Sequence, residues 1–526
     1  MKSQEVAKLS RDLIDLGEKA ALGGYHLFVG NTISTLLLAV NAIIIARLLG
    51  PDGYGVYSIS LVVPTLFVGL VDFGVGSALI QFSAKLRAEG KDREAAIVIG
   101  TGLFFEFIVS TVASVLCFFL SDVTTKYIIN RPELSFYLRA ISVLILLQTI
   151  SSMLASVFIG FERMEANSLM MIASSLVKVI VSPLLVIVGF GIFGALVAHV
   201  LYSVAMVTTG FMFMKKYKIE YLQLRIDYLT LKTIFKYSLP IYFANLIRFT
   251  FFTQYQTIIL AFFATNVEVG NFQVITLFTT AMRIIIFPFD SLFPSFAKSR
   301  TNMEGLKRLF KRSVKYAALL IVPASLAISI LSKDLIFAFY GSDYILAPRF
   351  LSIFILTHLF AGLGSTVFRI LFSGIEKTGT VLKSNLIKLL IFFPLGLILT
   401  NLYGVIGLIF AVIASSSASI IYYLLVAARE FDIVPDLKSS IRIYAASMLA
   451  IIPPIVFLKF SIFNSALNLL VSGAIFCLSY LILLPVTKAI NNNDLDIFTL
   501  ILNKNRNLSI LKPVILFESM IINRLT

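Results

Sequence analysis

Apolar runs of about 20 residues recur along the whole chain, separated by short polar segments. A bilayer core about 30 Å thick requires about that many apolar residues per helix. Strands of a membrane barrel would alternate in polarity, and these runs do not. The pattern predicts an all-α, polytopic membrane protein. We place about fourteen transmembrane spans, numbered 1 to 14, near residues 25–48, 55–80, 95–120, 136–159, 168–188, 191–213, 239–262, 270–293, 314–331, 349–372, 382–400, 404–427, 444–460 and 464–486.

The composition points the same way. Of 526 residues, 58% are hydrophobic and 14% are charged, whereas about 25% of the residues of a soluble domain are charged. A soluble protein with this composition could not cover its own core, so the ordinary soluble enzyme folds are excluded.

The net charge of +16 follows from the membrane topology. With the N-terminus inside, 32 of the 44 Lys and Arg residues fall on the cytoplasmic side and seven on the outer side. This is the bias expected of a protein with both termini in the cytosol, and it supports the assignment of the spans. The positive charge therefore does not indicate nucleic-acid binding.

An internal duplication relates spans 1–6 to spans 7–12. Residues 191–200 match residues 404–413 at an offset of 213, residues 160–163 match 374–377 at 214, and residues 55–57 match 270–272 at 215. Six spans separate the copies, so the two halves are parallel repeats. Such halves are typical of transporters, with the substrate site expected between them.

The repeat and the charge pattern predict the organisation of the chain. It comprises a cytosolic amphipathic segment (1–24), an N-terminal six-helix half (25–214), a cytosolic linker (215–237), a C-terminal six-helix half (238–428), spans 13 and 14 (429–488) and a cytosolic tail (489–526).

Residues 46–82 resemble the opening signature of a known family, through Arg47-Leu48-Leu49-Gly50-Pro51, Tyr54-Gly55 and Asp72-Phe73-Gly74. They are similar to the polysaccharide-biosynthesis exporters, the oligosaccharide-lipid flippases of the MOP (multidrug/oligosaccharidyl-lipid/polysaccharide) superfamily. The resemblance, which extends over residues 20–490, implies a twelve-plus-two helix plan in the cytoplasmic membrane. It also implies translocation of a lipid-linked oligosaccharide or polysaccharide precursor.

Charged groups within spans cost about 2.5–3.5 kcal/mol each on insertion scales, so they normally face a bundle interior or a water-filled cavity. The five basic ones are candidate substrate-binding residues: Lys178, Arg248, Arg283, Arg369 and Lys388. The last two lie nearer the cytoplasmic face, where a long basic side chain can also reach the interface.

Uncharged polar residues at helical spacing extend this set. In span 7, Asn245, Tyr255 and Gln256 share a stripe with Arg248, and the repeat places Asn31 and Asn41 at matching positions in span 1. In span 10, His358 shares a face with Ser365 and Arg369. One interpretation is hydrogen bonding between helices. The other is a hydrated, cationic central cavity lined by spans 1, 4, 7 and 10.

Three acids lie within or at the ends of spans: Asp72, Glu106 and Asp290. They are candidates to balance the basic charges or to bind H⁺ or Na⁺ for coupling. Asp290 lies two helical turns from Arg283 on the same face, so we expect an ion pair or a shared network between them.

A cationic cavity suits an anionic, hydroxylated cargo, because guanidinium and ammonium groups bind phosphate oxygens. The expected substrate is a polyprenyl- or dolichyl-linked (di)phosphate oligosaccharide, moved by alternating access. Further expected partners are membrane lipids and glycan-assembly enzymes.

Two other functions are considered. A MATE-like antiporter of drugs or organic cations should carry acids in its pocket rather than bases. A membrane glycosyltransferase should place catalytic acids in a sizeable outer loop, whereas Asp122 and Glu133 lie far apart in the longest one. The chain is therefore expected not to be an enzyme.

We expect no cofactor and no metal centre. Residues 189–194 fit GxGxxG, but they form a tight turn between spans 5 and 6 without a preceding strand. The sequence contains no GxxxxGK[ST] motif, and His26, His199 and His358 lie on different spans without metal-ligand spacing.

Overall fold

The computed structural model describes residues 2–219, 227–246, 252–504 and 518. Side chains are described from residue 22 onward within these ranges, except those of 244, 245, 252, 253, 287, 498 and 500–504. The described residues form helices and turns without a strand, which confirms the all-α prediction.

Contacts divide the chain into two units, residues 1–270 and 271–526. The boundary falls within a helix rather than at the predicted linker 215–237, because the helix after that linker packs on the second and third helices of unit 1. The segment boundaries predicted above are based on the internal repeat and not on contacts, and they stay a prediction.

The helices that begin in unit 1 are α1 (Lys2–Val71), α2 (Val75–Ala88), α3 (Asp92–Phe119), α4 (Ser121–Val123), α5 (Ser135–Ile141), α6 (Leu144–Gly160), α7 (Met164–Leu185), α8 (Gly191–Lys216), α9 (Tyr228–Asn245), α10 (Phe252–Phe263) and α11 (Asn266–Ile286).

Unit 2 continues from α11. Its further helices are α12 (Phe293–Lys298), α13 (Met303–Ile330), α14 (Ser332–Tyr340), α15 (Ala347–Phe354), α16 (Ser365–Gly374), α17 (Thr378–Phe431), α18 (Leu437–Ala450), α19 (Ile452–Phe460), α20 (Ser465–Val486) and α21 (Asn492–Lys504). Short 3-10 helices occupy Pro132–Leu134, Phe287–Leu292, Ser299–Thr301 and Ile355–Leu363, and π-helices occupy Thr124–Ile128 and Val186–Phe190.

Eight helical stretches among the described residues are long and apolar enough to cross a membrane, or ten if two bent pairs each count as one span. Three of them are 50 to 54 residues long, which at about 1.5 Å per residue is more than twice the thickness of a bilayer core. Each is interrupted by glycine in a non-helical conformation, at Gly50, at Gly189 and Gly191, and at Gly404. Each of these stretches therefore corresponds to two predicted spans, while the total of fourteen stays a prediction.

The duplication is visible in the backbone. Gly191 has φ 52° and ψ −131°, and Gly404, 213 residues later, has φ 57° and ψ −139°. At an offset of 214, Glu162 and Glu376 both have positive φ, and so do Lys218 and Asp432. Similar local conformations at spacings of 213 and 214 residues support the two six-helix repeats.

The matched glycines give a matched prediction. Because positive φ with strongly negative ψ is almost confined to glycine, Gly191→Ala and Gly404→Ala should each lower the free energy of unfolding by about 1–3 kcal/mol. A new Cβ at Gly191 would have nothing within 4 Å, so the cost there is conformational. Thermal unfolding in detergent measures it. Gly379→Ala, in open space on a helix, is the control; an unchanged Gly191→Ala protein would contradict the prediction.

Two predicted spans are bent rather than continuous. Span 4 consists of a segment ending at Ile141 and of α6, with 41° between them, and span 10 bends by 49° between Leu363 and Ser365. In span 10 a nine-residue 3-10 helix precedes Gly364, which has φ 92°. Helix α1 runs without a break from Lys2 to Gly50, so the predicted segment 1–24 is continuous with span 1; its role as a cytosolic amphipathic segment stays a prediction.

Helix α18 supports the bend in span 10. The Ser440 hydroxyl donates to the Gly362 carbonyl oxygen at 2.7 Å, and the Tyr444 hydroxyl donates to the Leu359 carbonyl oxygen. A bend leaves backbone carbonyls without helical partners, and a hydroxyl from a neighbouring helix can satisfy them. Span 13 thereby stabilises the segment that carries His358.

Candidate functional site

A buried lysine forms the centre of a polar cluster in unit 1. Lys178 on α7 is only 8% exposed, and its Nζ lies 3.0 Å from Nδ1 of His199 on α8. The same Nζ lies 5.3 Å from the centre of the Tyr202 ring, within cation–π range. The Tyr57 hydroxyl from α1 lies 3.4 Å from the same Nδ1, and Gln148 from α6 contacts Nε2 on the other side of the imidazole. We call these five residues the Lys178 cluster.

The hydrogen bonds fix the protonation of His199. An ammonium group has only donors, so Nδ1 must accept from Lys178, and the imidazole is neutral with its proton on Nε2. Nε2 lies 3.2 Å from the Gln148 side-chain amide, which we assign with its oxygen towards the ring. The cluster therefore carries one net positive charge. None of the ion pairs among the described residues involves Lys178.

The turn between α7 and α8 brings Lys178 and His199 together. The chain reverses at Gly189 and Gly191, both with positive φ. Residues at similar distances from such a turn face each other on the two helices, and Lys178 and His199 lie 12 residues before and 9 residues after residue 190 between the two glycines. In the sequence, His199 was considered only as a metal ligand and set aside, so this pairing was missed, although the position of the turn was predicted.

A second cationic group lies in unit 2. The charges of Lys388 and Arg283 act electrostatically on His358, whose Nε2 is buried without a hydrogen-bond partner. Lys388 is partly buried, whereas Arg283 is exposed. Three sequence-predicted residues from spans 8, 10 and 11 are thus brought together.

Asp290 pairs with a different arginine from the one expected. Its carboxylate accepts from the Arg369 guanidinium, and the two side chains are 44% and 42% exposed. No ion pair between Asp290 and Arg283 occurs within 4 Å in the described part of the chain. The reason is the 3-10 segment Phe287–Leu292, which rotates Asp290 away from the α-helical phase of Arg283.

The remaining predicted residues are more scattered. Asn31 is exposed, and Asn41 is buried with its Oδ1 lacking a partner. Tyr255 and Gln256 are partly buried. Arg248 and the side chain of Asn245 lie outside the described residues.

Two carboxyl groups form a third group, again in unit 1. Glu106 on α3 is 0% exposed, and neither of its carboxylate oxygens has a hydrogen-bond partner. The charge of Asp72, in the break between α1 and α2, acts on Glu106, and both acids act on Tyr242. Both acids are predicted from the sequence as charge-balancing or ion-coupling residues, but their proximity is not. Among the described residues, no three His, Cys, Asp or Glu side chains are grouped as a metal centre would require.

The family follows from the sequence comparison. The profile of the family described as "Polysaccharide biosynthesis protein" matches residues 44–347, more than half of the chain. The chain belongs to this family. A curated relative, stage V sporulation protein B of Bacillus subtilis (strain 168), is 24% identical over 159 residues. That alignment spans 30% of this chain and 30% of the relative.

Solved structures share the fold. Lipid II flippase MurJ in its inward closed conformation matches with a TM-score of 0.72 and 14% identity, over 88% of this chain and 98% of MurJ. An inward-facing multidrug resistance MATE family transporter of the MOP superfamily matches with a TM-score of 0.66 and 15% identity, over 77% of this chain and 98% of its own. These structures are those of a flippase and of a transporter, and the likeness shows that this chain has their multi-pass membrane fold.

Proposed function

We propose that the protein translocates lipid-linked oligosaccharides or polysaccharide precursors across the cytoplasmic membrane by alternating access. The observation that carries the proposal is the Lys178 ammonium. It is buried in a membrane-spanning helix, with a neutral imidazole and an aromatic ring as neighbours instead of a carboxylate. A buried charge normally requires a counter-charge, and an anionic cargo supplies one.

The chemistry of the cluster fits a phosphate or diphosphate headgroup. Among the described residues, His199 occupies one of the three ammonium donors, which leaves two for phosphate oxygens. Tyr57, Tyr202 and Gln148 offer hydroxyl and amide groups of the kind that bind sugar hydroxyls. Lys388, Arg283 and His358 form a second cationic group of similar character in unit 2.

The same charges argue against the MATE-like alternative. An organic cation would have to approach a buried ammonium with no carboxylate beside it, which is unfavourable in a low dielectric. We also propose that both termini lie in the cytosol and that the lipid carrier is a polyprenyl or dolichyl chain. We further propose that the protein associates with glycan-assembly enzymes.

Binding of defined probes tests the function. Purified protein in nanodiscs is titrated with a polyprenyl diphosphate disaccharide, with the same glycan on an uncharged polyprenol, and with ethidium as an organic cation. We expect the diphosphate probe to bind at least about tenfold more tightly than the uncharged one, because charge-assisted hydrogen bonds contribute about 1.5–3 kcal/mol each. Equal affinity for both lipids, or tight binding of ethidium alone, would overturn the proposal.

A further inference from the structure

The acceptor that holds Lys178 determines whether the cluster keeps its charge. The Nζ atom lies 3.0 Å from Nδ1 of His199, and the charge of no described carboxylate acts on either side chain. A carboxylate at position 199 would also hold the ammonium, but it would cancel the positive charge. A neutral acceptor holds the ammonium in place and leaves its charge for a ligand. The identity of residue 199 therefore decides the electrostatics of the site.

Contacts on several sides hold the imidazole of His199 in one orientation. Tyr202, three residues further along α8, packs edge-to-face against it, with 5.9 Å between the ring centres and 82° between the ring planes. Gln148 lies 3.2 Å from Nε2, and the Tyr57 hydroxyl lies 3.4 Å from Nδ1. A polar network with partners at both ring nitrogens fixes its members in place. The ring therefore cannot turn Nδ1 away from Lys178 without losing these contacts.

Gln148 determines which ring nitrogen carries the proton. A neutral imidazole has one donor and one acceptor nitrogen, and the hydrogen bond at one nitrogen sets the state of the other. With its carboxamide oxygen towards the ring, Gln148 accepts from Nε2–H, so Nδ1 keeps its lone pair for the ammonium. Without an acceptor at position 148, the proton is free to occupy Nδ1, and the bond to Lys178 is then lost. Gln148 thus acts on Lys178 through His199.

We propose that His199 and Gln148 are positioning residues that make the Lys178 site selective for an anionic phosphate or diphosphate group. His199 orients the ammonium with a neutral acceptor, and Gln148 keeps that acceptor in the required tautomer. Neither residue has to touch the cargo. The inference rests on the function proposed above and deepens it, because it explains how the protein holds a buried ammonium without neutralising it.

Two exchanges of His199 for residues of equal size test the neutral acceptor. In His199→Asn and His199→Asp a side-chain oxygen can take the place of Nδ1, and the two variants differ in charge. In nanodiscs, His199→Asn should bind the polyprenyl diphosphate disaccharide within about fivefold of the wild type, since it loses one neutral hydrogen bond. His199→Asp should bind it at least about tenfold more weakly than His199→Asn, because its carboxylate neutralises the ammonium. Its Tm should be no lower than that of His199→Asn, since the carboxylate has a counter-charge.

Solid-state ¹⁵N NMR of histidine-labelled full-length protein tests the role of Gln148. The chain has three histidines, and the signal that is missing in His199→Asn assigns His199. We expect a neutral ring with its proton on Nε2 in the wild type. Gln148→Met should show a substantial fraction of His199 with the proton on Nδ1, whereas Gln148→Glu, which keeps an acceptor, should not. A purely structural role of Gln148 would leave the tautomer unchanged.

His26→Asp is the matched control, because it adds the same negative charge to unit 1 at a histidine outside the Lys178 cluster. It should bind the diphosphate probe within about twofold of the wild type. Equal affinities of His199→Asn and His199→Asp, or an unchanged tautomer in Gln148→Met, would overturn the proposal. Failure of the proposed function gives a different result: the wild type then does not prefer the diphosphate probe to the uncharged lipid, while the NMR spectra, which need no cargo, still test the positioning of His199.

Discussion

Lys178→Met should reduce transport of a lipid-linked oligosaccharide about 10- to 100-fold, because it removes the buried charge that we propose to bind the phosphate. Methionine has a similar length and flexibility, so it fills the space of the lysine stem. His199 does not lose its only donor, because the Tyr57 hydroxyl lies 3.4 Å from the same Nδ1. The fold should therefore survive. The measurement is flipping of a fluorescent polyprenyl diphosphate glycan in proteoliposomes.

Two comparisons make this prediction specific. Lys333→Met removes an exposed lysine of α14 and should leave transport unchanged. In Lys178→Met the apparent KM for the diphosphate probe should rise while the Tm stays within a few degrees of the wild type. Transport at the wild-type rate by a well-folded Lys178→Met protein would show that the buried ammonium has a purely structural role.

The Lys178 cluster could be predicted from the sequence only in part. A lysine in the middle of an apolar run is visible without coordinates, and its cost in lipid makes it a functional candidate. Its pairing with His199 could also have been predicted, because the glycine turn between α7 and α8 fixes the register of that helix hairpin. The contacts of Tyr57 and Gln148 with His199 could not have been predicted, because these residues lie on helices whose packing no local sequence pattern specifies.

The same distinction applies to the helix geometry. The breaks at Gly50, Gly191 and Gly404 lie at predicted span ends, where glycine permits positive φ. The bend after Ile141 has no Gly or Pro beside it, so nothing local indicates it. The bend in span 10 lies at Gly364, a glycine that the sequence shows, but the hydroxyl groups that support it come from α18, which is distant in sequence. The ion pair between Asp290 and Arg369 likewise depends on a 3-10 segment that helical phase does not anticipate.

Gly55 and Gly270, which the repeat makes equivalent, pack against each other within unit 1. A Cβ at Gly55 would lie 2.0 Å from the carbonyl oxygen of Asn266, and a Cβ at Gly270 would lie 1.9 Å from that of Pro51. Asn266 is the repeat equivalent of Pro51 at the same offset of 215. The contact is thus reciprocal, as in a two-fold symmetric interface, and only glycine permits it.

Arg131 holds the turn between α10 and α11, the other side of this contact, in place. Its Nε donates to the Ala261 carbonyl oxygen at 2.9 Å, and its other nitrogens donate to the Ala264 carbonyl and to the Asn266 side chain. These bonds fix the turn between α10 and α11. Asn266 therefore cannot move away easily if a side chain is added at Gly55.

Gly55→Val and Gly270→Val should each lower the free energy of unfolding by about 3 kcal/mol or more, since the new side chain meets backbone rather than a flexible side chain. Because one separation of α1 from α11 relieves both clashes, the double variant should lose much less than the sum of the single losses. Circular dichroism melting in detergent measures all three. Gly473→Val, at a position with open space around it, is the control for adding a valine to a helix. Additive losses, or losses no larger than that of the control, would mean that the two glycines do not share one contact.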